Sequence, residues 1–232
     1  MKESIMIAPE TQRKIRALLQ DLESVRENLL ALSDDIWHGI DHNNNDAMQQ
    51  AIEFKREYNV KMESFAQVAE DISVMVMQFT NVRSAEEATE STATSREARD
   101  RVIAELDRRT PHHLDEDFTY KRPYAYRLQD HAVTGTTTWR ALYEDVLRHL
   151  RMVDMEVFRS LPDREEQISR RGSPHFARSP DALRVAAHLE EDIYIEINMS
   201  AKMIVTMIQT VLPLFGLKES DMKVYLREDR DA

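Results

Sequence analysis

The chain has 232 residues, a formal net charge of −11, 31% charged and 42% hydrophobic residues, and no cysteine. That length supports one large or two small domains with a buried core, and the absence of cysteine excludes disulfides, thiolate metal sites and a cysteine nucleophile. Four glycines argue against glycine-rich phosphate loops and a turn-rich all-β fold, and the acidic balance argues against a dedicated nucleic-acid binder while leaving room for a local basic patch.

The first long element is expected from about Glu10 to Trp37. Ile15, Leu18, Leu22, Val25, Leu29, Leu32 and Ile36 alternate in steps of three and four, a heptad seam. Gly39 and the polar run Asp41 to Asn45 stop that helix. Asp46 and Gln49 resemble a capping box that opens a second helix running to about Val82. Its seam includes Ala51, Phe54, Tyr58, Phe65, Val68, Ile72, Met75 and Phe79, with Lys61 interrupting. The short loop makes the two helices antiparallel neighbours. Their apolar surface exceeds what two helices can cover, so a third helix or a second copy must supply the rest.

Arg83 to Ser95 is small and polar, an exposed helical extension or a linker. Thr94 is placed to cap a short third helix ending near Arg109, poor in apolar residues apart from Val102, Ile103 and Leu106. That poverty favours a second copy over a three-helix bundle. Pro111 and the run HHLDED mark the expected boundary between a helical domain at 1–110 and a recognition module at 111–232.

In the module, Tyr120 to Leu128 reads as a strand and Ala132 to Thr134 as its hairpin partner. Thr138 is placed to cap a helix through about Ser160, whose inner face carries Trp139, Leu142, Tyr143, Val146, Leu147, Leu150 and Phe158; Pro162 ends it. Arg164 to Leu183 lacks a period and reads as loop. Ile193, Ile195 and Ile197 alternate with polar residues as a strand. Ser200 caps a helix from Ala201 to Phe215, apolar almost all round, and Gly216 fits the left-handed position after it. Met222, Val224 and Leu226 form the last strand. The expected fold is therefore α+β and mostly helical: an antiparallel helical hairpin or coiled coil, then a small α+β domain.

No catalytic set emerges. Glu196 and Asn198 read as the polar face of a half-exposed strand, and the lysine that a restriction-type metal site needs two residues after its second carboxylate is missing. His38 and His42, or His112 and His113 beside Asp115, Glu116 and Asp117, lack a scaffold for three converging ligands. No metal or other cofactor is expected. Met75, Met77, Met199, Met203 and Met207 read as fillers of core gaps. The strongest candidate contact is an arginine-rich loop: Arg170, Arg171, His175, Phe176, Arg178 and Arg184, extended by Lys121 and Arg122. Arginines there would hold phosphates bidentately while Phe176 stacks on a base; the alternative is a solvated loop paired with surface carboxylates.

The aromatic-rich strand KRPYAYRL, Trp139 opening a helix, PHFARSPDALR, IYIEINMSA, the helix ending LFGL, and KVYL together resemble a small C-terminal module of uncharacterised prokaryotic proteins associated with restriction or antiviral defence loci. The resemblance covers Tyr120 to Leu226 and implies a fold and a context rather than a reaction. Pro213 departs from it, standing where a long polar residue is expected, and should disturb the last helical turn. No window carries the roughly 18 uncharged apolar residues of a membrane span, and MKESIMIAPE does not read as a signal peptide, so a cytoplasmic protein is expected. The expected function is a non-enzymatic adaptor of a defence or restriction system. It would form a homodimer through Ile15, Leu18, Leu22, Val25, Leu29, Leu32, Ile36, Phe54, Tyr58, Phe65 and Ile72, and bind a protein partner through its module. The alternative is a nucleic-acid-binding regulator using the arginine loop.

Overall fold

The computed structural model describes residues 7–80, 96–169, 172–190 and 192–227. Two long helices open it, α1 (Pro9–His38) and α2 (Asn45–Thr80). Pro9 starts α1 at no cost, because the N–H of that position has no intrahelical acceptor. Asn44 caps α2: its Oδ1 accepts the N–H groups of Asp46 at 3.0 Å and Ala47 at 3.2 Å. The cap therefore lies two residues before the expected Asp46 start, and Gln49 has no part in it. Across the hairpin the Tyr58 hydroxyl donates to the Leu29 carbonyl at 2.8 Å, and Lys55 donates to Ser33 at 2.6 Å and Asp34 at 2.9 Å. The segment Arg83–Ser95, with the Thr94 cap, lies outside the described residues.

α3 (Arg96–Leu106) does not complete a helical bundle. Leu106, fully buried, and Val102 pack with Ala125 and Tyr225 on an antiparallel sheet of order β2-β1-β6, made by β1 (Pro123–Leu128), β2 (His131–Thr134) and β6 (Met222–Leu226). Side chains alternate across a strand, so Ala125 and Tyr225 face α3 while Tyr126, Leu128, Met222 and Val224 face the main core. Beyond α3, His112 exchanges two backbone hydrogen bonds with Val224, at 2.8 and 3.0 Å, and Leu114 and Phe118 are buried. The run after Pro111, at the boundary expected near residue 110, thus pairs with the same sheet that α3 packs on.

The middle of the core is α4 (Trp139–Val153). Thr138 caps it as expected, accepting the Ala141 N–H at 3.1 Å, and the Trp139 indole donates to the Lys121 carbonyl at 2.8 Å. The helix expected to reach Ser160 is broken at Asp154. That residue is extended, and its carboxylate accepts the N–H groups of Glu156 and Val157, opening α5 (Met155–Ser160). An aspartate that bonds nearby backbone competes with helix continuation.

A second antiparallel sheet has the order β3-β5-β4, from β3 (Phe176–Ala177), β4 (Ala186–Glu190) and β5 (Ile193–Glu196). β3 lies inside the stretch expected to be loop, and β4 precedes the triple-isoleucine strand as its hairpin partner, with Ala187 opposite Ile195. α6 (Ala201–Val211) follows the Ser200 cap and leads from this sheet to β6 in the other. It is buried on one side and not all round: Ile204, Val205 and Ile208 are inside, while Lys202, Met203 and Thr206 are exposed. Pro213 ends it in a 3-10 turn, Leu212–Phe215, and Gly216 takes the left-handed φ of +72°. Lacking a Cβ, glycine holds that conformation without strain.

Candidate functional site

The seam of α1 divides between two environments. Ile15, Leu22 and Leu29 are half-buried, whereas Leu18 is 68% exposed, Val25 47%, and Leu32 and Ile36 are also exposed. On α2, Tyr58 and Phe65 are half-buried, while Phe54, Ile72, Val68, Met75 and Phe79 are exposed, the last at 69%. Met75 and Met203 are therefore surface residues; Met199 and Met207 do fill the core. The buried residues of the hairpin form a different stripe. Ser24, Glu27 and Ala31 on α1, with Ala51, Met62, Ala66 and Ala69 on α2, are buried, and Ala66 joins the main core. Small residues let the helix backbones approach closely. At about 100° per residue, Leu18, Val25, Leu32 and Ile36 share one side of α1, more than a quarter turn from Ser24, Glu27 and Ala31.

Charged groups hold the junction. The Glu27 carboxyl oxygen Oε1 accepts the backbone N–H of Arg140 at 2.8 Å, in the first turn of α4, where backbone N–H groups lack intrahelical acceptors. Arg140 in turn reaches Glu70 at 3.0 Å and Glu144 at 2.9 Å, with Glu23 at 4.0 Å. Arg26, itself buried, is gripped by Glu23 through Nε and Nη2. Further out, Arg122 pairs with Asp21 at 2.9 Å and Tyr120 donates to Asp35 at 2.6 Å. Burial, reinforced by the negative charge of Glu23, pushes the Glu27 carboxyl up to about 8, despite the opposing backbone N–H groups of Arg140 and Trp139. For Arg140, burial works against the charge, but Glu144, Glu23 and Glu70 outweigh it and hold the guanidinium charged. Glu23, Arg26, Glu27, Glu70, Arg140 and Glu144 are not singled out by the sequence, because a charged side chain on a helix reads as solvated.

The arginine loop is only partly described, since Arg170 and Arg171 lie outside the described residues. Phe176, read as a stacking residue, is a correction: it is 1% exposed and belongs to the main core. Arg178 is exposed, but its guanidinium donates to Asp163 and Asp192, each at 2.7 Å, and to the Arg159 carbonyl at 3.0 Å. His175 is half-buried, and burial lowers the pKa of its imidazole despite the nearby Glu196. Arg184 and Lys121 are exposed. Arg122 is committed to the hairpin through Asp21, so it is not part of a free basic surface with the loop. Glu196 is a second correction. It is buried at 8% exposure, and its carboxylate accepts the N–H groups of Arg184 at 2.8 Å, Val185 at 3.3 Å and Asn198 at 2.7 Å. It clamps the entry to β4 onto the end of β5.

Among the described residues no group of three side chains is placed to hold a metal ion, and no helix is long and apolar enough to cross a membrane. Comparison with protein-family models, curated proteins and solved structures finds no match.

Proposed function

We propose that this chain is a non-catalytic adaptor that pairs with a second copy through the outer face of its hairpin and offers its α+β module to a protein partner. The observation that carries this reading is the exposed stripe Leu18, Val25, Leu32 and Ile36 on α1 beside Phe54, Val68, Ile72, Met75 and Phe79 on α2. Between Phe54 and Phe79 the stripe extends roughly 38 Å at 1.5 Å per residue. Heptad-spaced apolar positions left open on two antiparallel helices suit a four-helix arrangement with a second hairpin. Monomers rarely leave so extended an apolar patch in water. The α-helical module side of the hairpin is already covered, and α3 is spent on the sheet, so a second copy is the occupant that matches the periodicity. The resemblance of Tyr120–Leu226 supplies the class of partner: another protein of a restriction or defence system.

The nucleic-acid reading has the weaker support, because Phe176 is core and Arg178 spends its donors on two carboxylates. Light scattering of the whole chain separates the outcomes for the adaptor. A dimer is expected, and Leu18→Glu combined with Val68→Glu should return it to monomer without loss of helical signal. A wild-type chain that stays monomeric at every concentration overturns the reading.

A further inference from the structure

We propose that the cleft between hairpin and module binds a small carboxylic acid with an apolar body, of the size of benzoate or a branched-chain acid. The cleft has a volume of about 160 Å³ and is walled by α1, α2, the Thr134–Thr138 loop and the start of α4. That volume is close to the roughly 150 Å³ of an apolar cavity that takes up benzene. Leu19, Leu22, Ala69, Met77, Val185 and Ile197 supply its apolar wall. A pocket that is mostly apolar with a few polar groups fixing orientation is the common form of a small-molecule site.

The sign of the ligand's charge follows from which groups on the wall lack partners. The acids there are committed: Glu23 to Arg26, Glu70 to Arg140, and Asp145 lies 3.6 Å from Arg148. Arg16 is the exception among the wall's charges: it has no ion pair among the described residues, and its Nε is buried and unpartnered. Deeper in the same wall, Arg26 is 2% exposed and its Nη1 has no partner, and Thr136 is 6% exposed with Oγ1 unpartnered. The wall thus holds donor capacity that its own carboxylates do not use. One uncompensated guanidinium beside an apolar chamber matches one negative charge on an apolar body. A phosphate ester would bring a second charge and a large hydration shell into a cleft already holding Glu23, Glu70 and Asp145. Arg16 would take the carboxylate as a charge-assisted fork, and the chamber would take the ring or branched chain.

The test is calorimetric titration of the whole chain with benzoate and 4-methylpentanoate, and with benzamide as the neutral counterpart of benzoate. Binding of at least one acid at millimolar concentration or better is expected, with benzamide at least about tenfold weaker than benzoate, as loss of one charge-assisted bond requires. Arg16→Gln should weaken the acid about tenfold while leaving benzamide unchanged, and Arg13→Gln, exposed on the same helix, should change neither. Leu19→Trp, which fills the chamber, should weaken acid and amide alike. No heat with either acid, equal binding of benzoate and benzamide, or an Arg16→Gln chain that binds like the wild type each overturns the proposal. The outcome does not depend on whether the chain dimerises.

Discussion

Glu27 on α1 lies 2.8 Å from the backbone nitrogen of Arg140 and caps, from another part of the chain, the helix at the centre of the module. The contact spans 113 residues of sequence. It places a carboxyl inside the junction where its ionised form is disfavoured, so docking of the hairpin is linked to proton uptake.

The direction of that linkage is fixed. The folded Glu27 carboxyl keeps its proton up to about pH 8, whereas the ordinary value is 4.5. Its contribution is therefore fully present below about pH 4.5 and is lost as pH rises through about 8. Glu27→Gln keeps a carbonyl acceptor for the Arg140 N–H and removes the ionisation. The variant should match the wild type in urea near pH 4.5 and exceed it by roughly a few kcal/mol near pH 9, at about 1.4 kcal/mol for each unit by which the folded pKa exceeds the unfolded one. Parallel curves for the two chains across that range would show that Glu27 does not titrate in the junction.

Arg140 tests the same junction from the other side. Its guanidinium is surrounded by Glu144, Glu70 and Glu23, and Glu144 is only 3% exposed. Arg140→Met leaves those carboxylates facing one another without their shared cation. Breaking a buried pair from one side costs about 3–5 kcal/mol. Pairing the change with Glu70→Gln and Glu144→Gln should recover a large part of it, because the leftover charges, rather than lost packing, cause most of the damage. Denaturant midpoints of the single and triple variants check this; an Arg140→Met chain as stable as wild type would mean that the network is solvated.

The parts of the fold visible in the sequence are those whose residues repeat. The heptads of α1 and α2, the alternation of Ile193, Ile195 and Ile197, the Thr138 and Ser200 caps and the Gly216 turn all act locally. β4 was hidden because Ala186–Ala187 has weak strand preference and the inward alternation consists of little more than Ala187 and Leu189. The break at Asp154 was hidden because an apolar face continues across it to Phe158. The junction was hidden more deeply. Glu27 and Arg26 are buried, Glu23 and Arg140 half-buried, and the contacts of Arg140 with Glu27 and Glu70 join elements remote in sequence, of which helical periodicity carries no sign. Glu196 failed for the related reason that its backbone donors, Arg184 and Val185, precede it across a hairpin.

Phe176 distinguishes a core residue from a stacking platform. It sits on β3 opposite Ile195 and is 1% exposed, so its ring is enclosed by the main core and unavailable to a base. Phe176→Ala removes a buried aromatic and leaves a cavity, at a cost of about 3–5 kcal/mol. Phe176→Leu, which restores much of the volume, should cost less than half as much. An exposed stacking residue would behave differently, with both substitutions within about 0.5 kcal/mol of the wild type. Thermal or urea unfolding of the two variants decides between these patterns. A near-silent Phe176→Ala would return the loop to the surface and reopen its use as a nucleic-acid contact.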